Sequence, residues 1–204
     1  NAINVMRGAE AISSYTALPH QEAFNIEYWL LEEAKLSRMP KPKALSGRVA
    51  FVSGSAGGIG KAISKKFAEE GACVVISDID DDRMNNTLAE FKSMFGKDAA
   101  SAALMNVTNK ESIEKALDAI ALAFGGVDII VNSAGLSISK PIEEHTEKDW
   151  DILYDVLVKG QFLVTQAAVN VMRKQEMGGD IINIVSKNAL VSGPNNAGYG
   201  SAKA

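Results

Sequence analysis

Arg48-Val49-Ala50-Phe51-Val52, followed by Ser53-Gly54-Ser55-Ala56-Gly57-Gly58-Ile59-Gly60, decides the fold. The first five residues form a short, mainly apolar run of the kind that makes a buried strand. From Ile59 onward the pattern is helical. The glycines between allow a tight turn and a close approach of backbone to a pyrophosphate, and the start of the next helix offers free N–H groups and the positive end of its dipole. The spacing is G-x-x-x-G-x-G rather than G-x-G-x-x-G. A tight strand-to-helix turn wants glycine anyway, so the cluster takes its meaning from its place in a βαβ unit. There it predicts a nucleotide-binding turn, with Gly54, Ser55, Gly57, Gly58, Ile59 and Gly60 at the ligand.

Working outward, further strands are expected at 73–77, 100–105, 128–131 and 180–185, and helices near 59–70, 82–94, 110–124 and 150–175. Alternation of this kind predicts an α/β fold, a Rossmann-like doubly wound parallel sheet covered on both faces. Ligands of such sheets bind at the carboxyl ends of the strands, at the topological switch point. Upstream, Pro40-Lys41-Pro42-Lys43 reads as a stiff linker. A helix is expected over 21–39, with Glu22 and Glu27 towards its start and Lys35 and Arg38 towards its end, as its dipole favours. Phe24, Ile26, Tyr28, Trp29, Leu30 and Leu31 cover more than one stripe of it, which predicts packing on several sides. Residues 1–45 are too few for a domain and read as a helical tail, with the dinucleotide-binding domain over 46–204.

The net charge of −4, with no basic stripe, argues against nucleic acid or an anionic membrane as a partner. No run reads as apolar enough to span a bilayer, and nothing after Asn1 reads as a cleavable signal. The single cysteine, Cys73, excludes an internal disulfide and suits a reducing, cytoplasmic setting; it is expected as a small core residue. His20 and His145 lack metal-ligand spacing and are expected on the surface or in loops, so no metal site is predicted. Trp29 and Trp150 are expected to pack rather than to stack on a cofactor.

Asp78 ends the second strand, where a carboxylate can accept hydrogen bonds from an adenosine ribose diol and repel a 2′-phosphate. That favours NAD over NADP, although Arg83, five residues on, would soften the preference. Tyr199 and Lys203 are four residues apart and share one face of a helix. A tyrosine ordinarily titrates at roughly 10, and a neighbouring ammonium with a cationic nicotinamide favours the phenolate that a base requires. Ser186 follows the fifth strand, where it can hydrogen-bond a reacting oxygen.

Together these residues resemble the short-chain dehydrogenase/reductase family, over about 45–204. The family's glycine turn is matched by Ser53 to Gly60, with Ser53 where Thr is usual. Its Asn-Asn-Ala-Gly appears as Asn132-Ser133-Ala134-Gly135, and its adenine-contacting Asp as Asn106, before Val107-Thr108. Its Ser, Tyr and Lys fall on Ser186, Tyr199 and Lys203. The resemblance implies hydride transfer between NAD and an alcohol or carbonyl, with Tyr199 as acid/base, Ser186 orienting the substrate oxygen and Lys203 on the nicotinamide ribose. It further implies cofactor contacts from Asn106, Val107, Asn132, Ala134 and Gly135, a small-molecule substrate and a homo-oligomer. One departure stands out: Leu157 takes the place of an Asn that holds a water on the family's proton path, so that another group holds it or proton exchange is slower.

The head, with Val5-Met6-Arg7-Gly8 and the stretch 21–36, is similar to the junction of bifunctional rhamnulose-1-phosphate aldolase/alcohol (lactaldehyde) dehydrogenases, as is the stretch 157–162. This implies an aldolase domain upstream and lactaldehyde as substrate. Family members continue past the position of Ala204 with further strands and a substrate-covering loop, so the substrate pocket is expected to be incomplete and the 204 residues alone could be inactive. Two alternatives stay open: a dinucleotide-binding module without turnover, and an NADPH-dependent carbonyl reductase of the same fold.

Overall fold

The apolar runs form the sheet that their composition demands. A computed structural model describes residues 8, 11, 12, 16 and 18–204; Val5, Met6 and Arg7 of the aldolase-like junction lie outside the described residues. Five parallel strands, β1 (Val49–Ser53), β2 (Cys73–Ser77), β3 (Ala100–Ala102), β4 (Ile129–Asn132) and β5 (Asp180–Asn183), lie in the order β3-β2-β1-β4-β5. The order reverses between β1 and β4, so the switch-point crevice opens at their carboxyl ends.

Successive residues of β1 point to opposite faces. Phe51 goes into one core with Val75, Ile130, Ile113, Leu117, Ile120 and Val164. Ala50 and Val52 go into the other, with Val74, Ile76, Met84, Phe91 and Val131. Burial on both sides, of all of β1 and of β2 from Val74 onward, explains why these strands read as continuous apolar runs. The covering helices are numbered after two in the head, α1 (His20–Glu27) and α2 (Leu30–Arg38). They are α3 (Gly58–Glu69), α4 (Asp81–Phe95), α5 (Lys110–Phe124), α6 (Glu147–Tyr154), α7 (Gly160–Gln175) and α8 (Ala197–Lys203).

The expected ends move where partners dictate. Strand β3 stops at Ala102 rather than 105, although the Ala103 and Met105 N–H groups still donate to Ile76 and Asp78 carbonyls. Strand β5 ends at Asn183 because its partner β4 ends at Asn132. The long helix begins at Glu147, three residues early, because Thr146 caps it. Thr146 Oγ1 accepts from the Asp149 N–H, and the Asp149 carboxylate accepts from the Thr146 N–H. It is also interrupted by a π-helical turn, Asp155–Lys159. Contrary to the sequence reading, Glu147–Gln175 is long and apolar enough to cross a membrane by length and composition. Its Leu153, Leu157, Val164, Ala168 and Met172 are buried in the cores.

The chain divides into two compact units, Asn1–Lys41 and Pro42–Ala204. The expected boundary at 45 moves because the Leu45 N–H donates to the Glu70 carbonyl and its side chain packs against a core of the second unit. In the first unit the single helix over 21–39 is broken. Trp29 is extended (φ −70°, ψ 144°), and its carbonyl starts α2 by accepting from Glu32 and Glu33. Adjacent Tyr28 and Trp29 are poor helix continuers, and Tyr28 stacks on Phe24 instead. Neither helix buries a residue, so the packing expected on several sides is absent among the described residues.

Candidate active site

The glycine turn leaves β1 at the switch point. Gly54 has φ +66°, and a Cβ there would stand 2.7 Å from the Ala134 Cα, so glycine meets both the conformation and the close approach. A Cβ on Gly60 would strike the Gly54 carbonyl oxygen, which presses the first turn of α3 onto the loop. Gly57 caps α3 with no side-chain hydrogen bond. The first N–H groups of a helix have no partner within it, so those around Gly58, Ile59 and Gly60 are left to a ligand. Ile59 itself is 65% exposed beside them. An uncapped helix start at the switch point, with glycine in place of side chains, fits a dinucleotide pyrophosphate.

Ser55, expected at the ligand, is turned away. Its N–H donates to the Ser77 carbonyl (2.9 Å), and its buried Oγ accepts from the Ser77 N–H (2.8 Å). It ties the turn to β2. Asp78 follows that strand, and its carboxylate accepts from the N–H groups of Ala56 (3.1 Å), Ile79 (2.9 Å) and Asp80 (3.3 Å). A cleft of about 580 Å³ opens beyond it, lined by Ile79, Asn106, Thr108, Asp151 and Val156 among others. Asn106 Oδ1 accepts from the Thr108 N–H and hydroxyl, so its Oδ1 holds the loop and its Nδ2 is left for contact outside. Val107 packs on the core, where a Cβ on Gly160 would touch it at 2.9 Å.

After β4, Asn132 also departs from expectation. It is buried, and its Nδ2 donates to Thr165 Oγ1 (3.0 Å) and Asn183 Oδ1 (2.8 Å), tying β4 to α7 and β5. Ala134 and Gly135 follow β4 at its carboxyl end. Ser53, which the sequence reading passed over, braces them: its Oγ accepts from the Ser133 and Ala134 N–H groups, both at 3.1 Å. Gly135 in turn stands against Leu157, whose Cδ2 lies 3.1 Å from where a Cβ would be. Leu157 is buried in a third core with Leu153 and Ala202. The position of the family's amide is therefore an apolar contact between the β4 loop and α8.

Ser186 Oγ accepts from the Asn188 N–H (3.2 Å), which leaves its proton to donate. On α8, Tyr199 packs against the third core, and Lys203 Nζ donates to the Ile184 carbonyl (2.7 Å), two residues before Ser186. That bond holds the Tyr199 helix at the end of β5. Burial pushes the Lys203 ammonium below its ordinary value. A second cleft of about 500 Å³ beside Lys203 is lined by Tyr154, Leu157, Thr165, Asn183 and Val185 among others.

Among the described residues no group of His, Cys, Asp and Glu is placed to hold a metal. His145 sits in a loop as expected but turns inward. Both ring nitrogens are buried without a partner, and its Cε1 lies 3.5 Å from where a Cβ on Gly198 would be. Cys73 is only partly buried, and burial raises its thiol above the ordinary range.

Residues 48–204 match the family model of short chain dehydrogenases, and residues 1–36 match that of the second domain of class II aldolases. An uncharacterized oxidoreductase of Bacillus subtilis (strain 168) is 39% identical over 203 residues, covering 100% of this chain and 30% of that protein. The 3-oxoacyl-acyl-carrier-protein reductase of Thermotoga maritima is 34% identical over 160 residues, 78% of this chain and 64% of that protein. The crystal structure of a gluconate 5-dehydrogenase from Burkholderia cenocepacia J2315, in complex with NADP and tartrate, superposes with a TM-score of 0.72 at 32% identity. It covers 78% of this chain and 61% of that one. The chain thus spans less than two-thirds of the length of each of these relatives.

Proposed function

Since the chain belongs to the short chain dehydrogenase family, we propose that it is the dehydrogenase part of an NAD-dependent oxidoreductase that interconverts an alcohol and an aldehyde. The observation that carries this reading is the Lys203–Ile184 bond, which fastens the helix of Tyr199 to the strand end that bears Ser186. When bound, NAD supplies the acceptor for the hydride that leaves the alcohol carbon. Gly58, Ile59 and Gly60 would present N–H groups to its pyrophosphate, and Asp78, at the carboxyl end of β2, would stand at its adenosine ribose. Ser186 donates its hydroxyl proton to the substrate oxygen and orients it. Tyr199 takes the alcohol proton as the carbonyl forms, and returns it in the reverse direction. Lys203, a cation one helical turn from Tyr199, favours the phenolate, and its depressed proton affinity suits it to pass a proton on.

Lactaldehyde is the substrate we favour. The aldolase class II match over residues 1–36 supports the junction reading, and an aldolase that releases an aldehyde supplies what such a dehydrogenase consumes. A small-molecule substrate, a cytoplasmic setting and a homo-oligomer complete the proposal.

The test is the initial rate of NADH oxidation by the intact protein with lactaldehyde, and of NADH formation from NAD with simple alcohols, in wild type and Tyr199→Phe. The variant should lose at least about 10²-fold in kcat/KM, the scale of general acid–base catalysis, while its NAD affinity holds. Unchanged turnover would remove Tyr199 from the role of base. NAD binding with no turnover of any substrate by wild type would favour a binding module instead.

A further inference from the structure

We propose that His145 is a positioning residue for Tyr199 and that its hold depends on a proton. The neutral ring keeps the start of α8 in place, and protonation of the ring releases it. It acts through Gly198, the residue before Tyr199. The inference rests on the reading of Tyr199 as acid/base and adds a control on its placement.

Three side chains close round Gly198, which is buried. A Cβ there would stand 2.8 Å from Leu153 Cδ1, 3.5 Å from His145 Cε1 and 3.6 Å from Trp150 Cε3. Glycine lets the helix settle into this seat. Packing, rather than a cap, holds the start of α8. Its cap residue, Asn196, makes no side-chain hydrogen bond to the helix and donates its Nδ2 back to the Pro194 carbonyl (3.1 Å). The chain that carries His145 is fastened on either side of the ring. Upstream, the Lys140 N–H donates to the Asn195 carbonyl (2.9 Å), and Lys140 Nζ pairs with Asp149 (2.8 Å). Downstream, Thr146 caps α6. With the backbone held at both ends, the ring is the part of the seat that can turn.

Both imidazole nitrogens are buried, and neither has a hydrogen-bond partner among the described residues. A neutral ring bears this as two unmet polar atoms. An imidazolium carries two N–H donors and a full charge, which a seat of leucine, tryptophan and glycine does not solvate. The charged groups around the ring lie to one side. On α6, Glu147 and Asp151 line a cleft of about 300 Å³ with His145, Thr146 and Trp150. Asp149 is engaged with Lys140, and Lys148 lines the cleft that Asn106 shares. On the short turn before His145, Glu143 and Glu144 are exposed. From α8 come only Tyr199 and Lys203, the latter bonded to the Ile184 carbonyl, and 190–196 holds no titratable group. Imidazoles take up a proton between about pH 8 and 5. On protonation the ring turns from Gly198 towards the Glu147 and Asp151 carboxylates, where opposite charge and water meet it. The void left beside Gly198 lets the start of α8 shift, and Tyr199 with it.

The experiment compares the intact protein as wild type, His145→Phe and His145→Gln, from about pH 7.5 down to about pH 5.5, the range in which imidazoles titrate. The first readout is hydrogen exchange at the start of α8, corrected for the intrinsic rate at each pH. Its reporter is the Gly200 N–H, which donates to the Asn196 carbonyl. Protection there should fall at least about threefold in wild type and less than about 1.5-fold in either variant. The second readout is steady-state reduction of lactaldehyde by NADH. In that direction Tyr199 gives up a proton, so its own titration does not slow the reaction as pH falls. Wild-type kcat should nevertheless drop at least about threefold with KM for NADH unchanged, and the drop should be absent in His145→Phe. Unchanged protection of the β1 and β4 amides reports that each variant is folded. Gly200 protection that does not depend on pH in wild type would overturn the proposal, as would an equal fall in wild type and both variants. Wild type that reduces no aldehyde, while the Gly200 difference stands, would defeat the reading of Tyr199 as acid/base and leave the proton-dependent seat in place.

Discussion

Replacing Leu157 by Asn restores the amide that this fold usually carries at that position, and the structure predicts that the change is costly. Leu157 is 2% exposed and packs against Leu153 and Ala202, with Cδ2 against Gly135. Removing a fully buried leucine forfeits about 1.5–3 kcal/mol of transfer free energy. An amide left there without partners adds about 1–3 kcal/mol. The sum is about 2.5–6 kcal/mol, towards the lower end if a water follows the amide in. In a chain of 204 residues, each kcal/mol moves Tm by about 2–4 °C. A loss of about 3 kcal/mol therefore corresponds to about 6–12 °C. The assay is urea denaturation followed by far-UV circular dichroism, with a lowered midpoint and an unchanged slope. Leu157→Met, which conserves volume, should lose under about 1.5 kcal/mol. An Asn variant within about 0.5 kcal/mol of wild type would show that the position is wet, and would refute the reading of Leu157 as packing.

Gly54→Ala should cost about 2–4 kcal/mol, combining the left-handed conformation at φ +66° with a Cβ 2.7 Å from the Ala134 Cα; a denaturation midpoint equal to wild type would contradict the contact. Lys140 and then Thr146 hold the Asp149 carboxyl well below the usual carboxylate range. A lowered folded value contributes stability above the ordinary range near 4 that is lost as pH falls through the folded value. Asp149→Asn should therefore flatten the fall of stability below about pH 4, and parallel pH–stability curves for the two proteins would dismiss the assignment.

How much was legible depends on whether residue type alone carries the information. The fold was. Strands β1 and β4 are buried throughout and β2 from Val74 onward, so their apolar runs stand out from the amphipathic helices between them. The ends of β3 and β5 were less so, because a strand stops where its partner stops. Within the candidate site, type and spacing are what single out the glycines, Asp78, Ser186, Tyr199 and Lys203 as the proposed contacts. The bonds that Ser55 and Asn132 make within the protein were not legible for one reason: a polar residue beside a ligand and one that ties strands together look alike in sequence, since only the register gives direction. In this register Asn132 stands opposite Asn183. That shared position on neighbouring parallel strands was the available sign of a cross-strand pair. Arg83 was visible as a charge near Asp78, but no local pattern announces that its guanidinium fills the space where a Cβ at Gly57 would stand, or that the Thr87 hydroxyl donates to the Ala56 carbonyl one helical turn further on.

The same contacts explain why the two halves of the site can be held together without the family's amide. Ser53 Oγ accepts from the Ser133 and Ala134 N–H groups, and Gly54 abuts Ala134, so the glycine turn and the β4 loop are one rigid piece. Gly135 of that loop rests on Leu157, and Leu157 shares a core with Ala202, which stands between Tyr199 and Lys203 on α8. Dense packing transmits position well, because displacing a buried group opens a void or forces a clash. An asparagine at 157 would offer a polar group to the space beside Lys203, but it would loosen this run of apolar contacts from turn to catalytic helix. With leucine there, the polar lining of that space beside Lys203 comes from Tyr154, Gln161, Thr165, Asn183 and Ser201. Of these, Thr165 and Asn183 already accept from Asn132 Nδ2, and each keeps further hydrogen-bonding capacity of its own. On the proposed mechanism, placement of Tyr199 and proton exchange at Lys203 would then fall to different residues in this chain. Substitutions at Leu157 should act first on stability, and those at Thr165 or Asn183 first on the proton step.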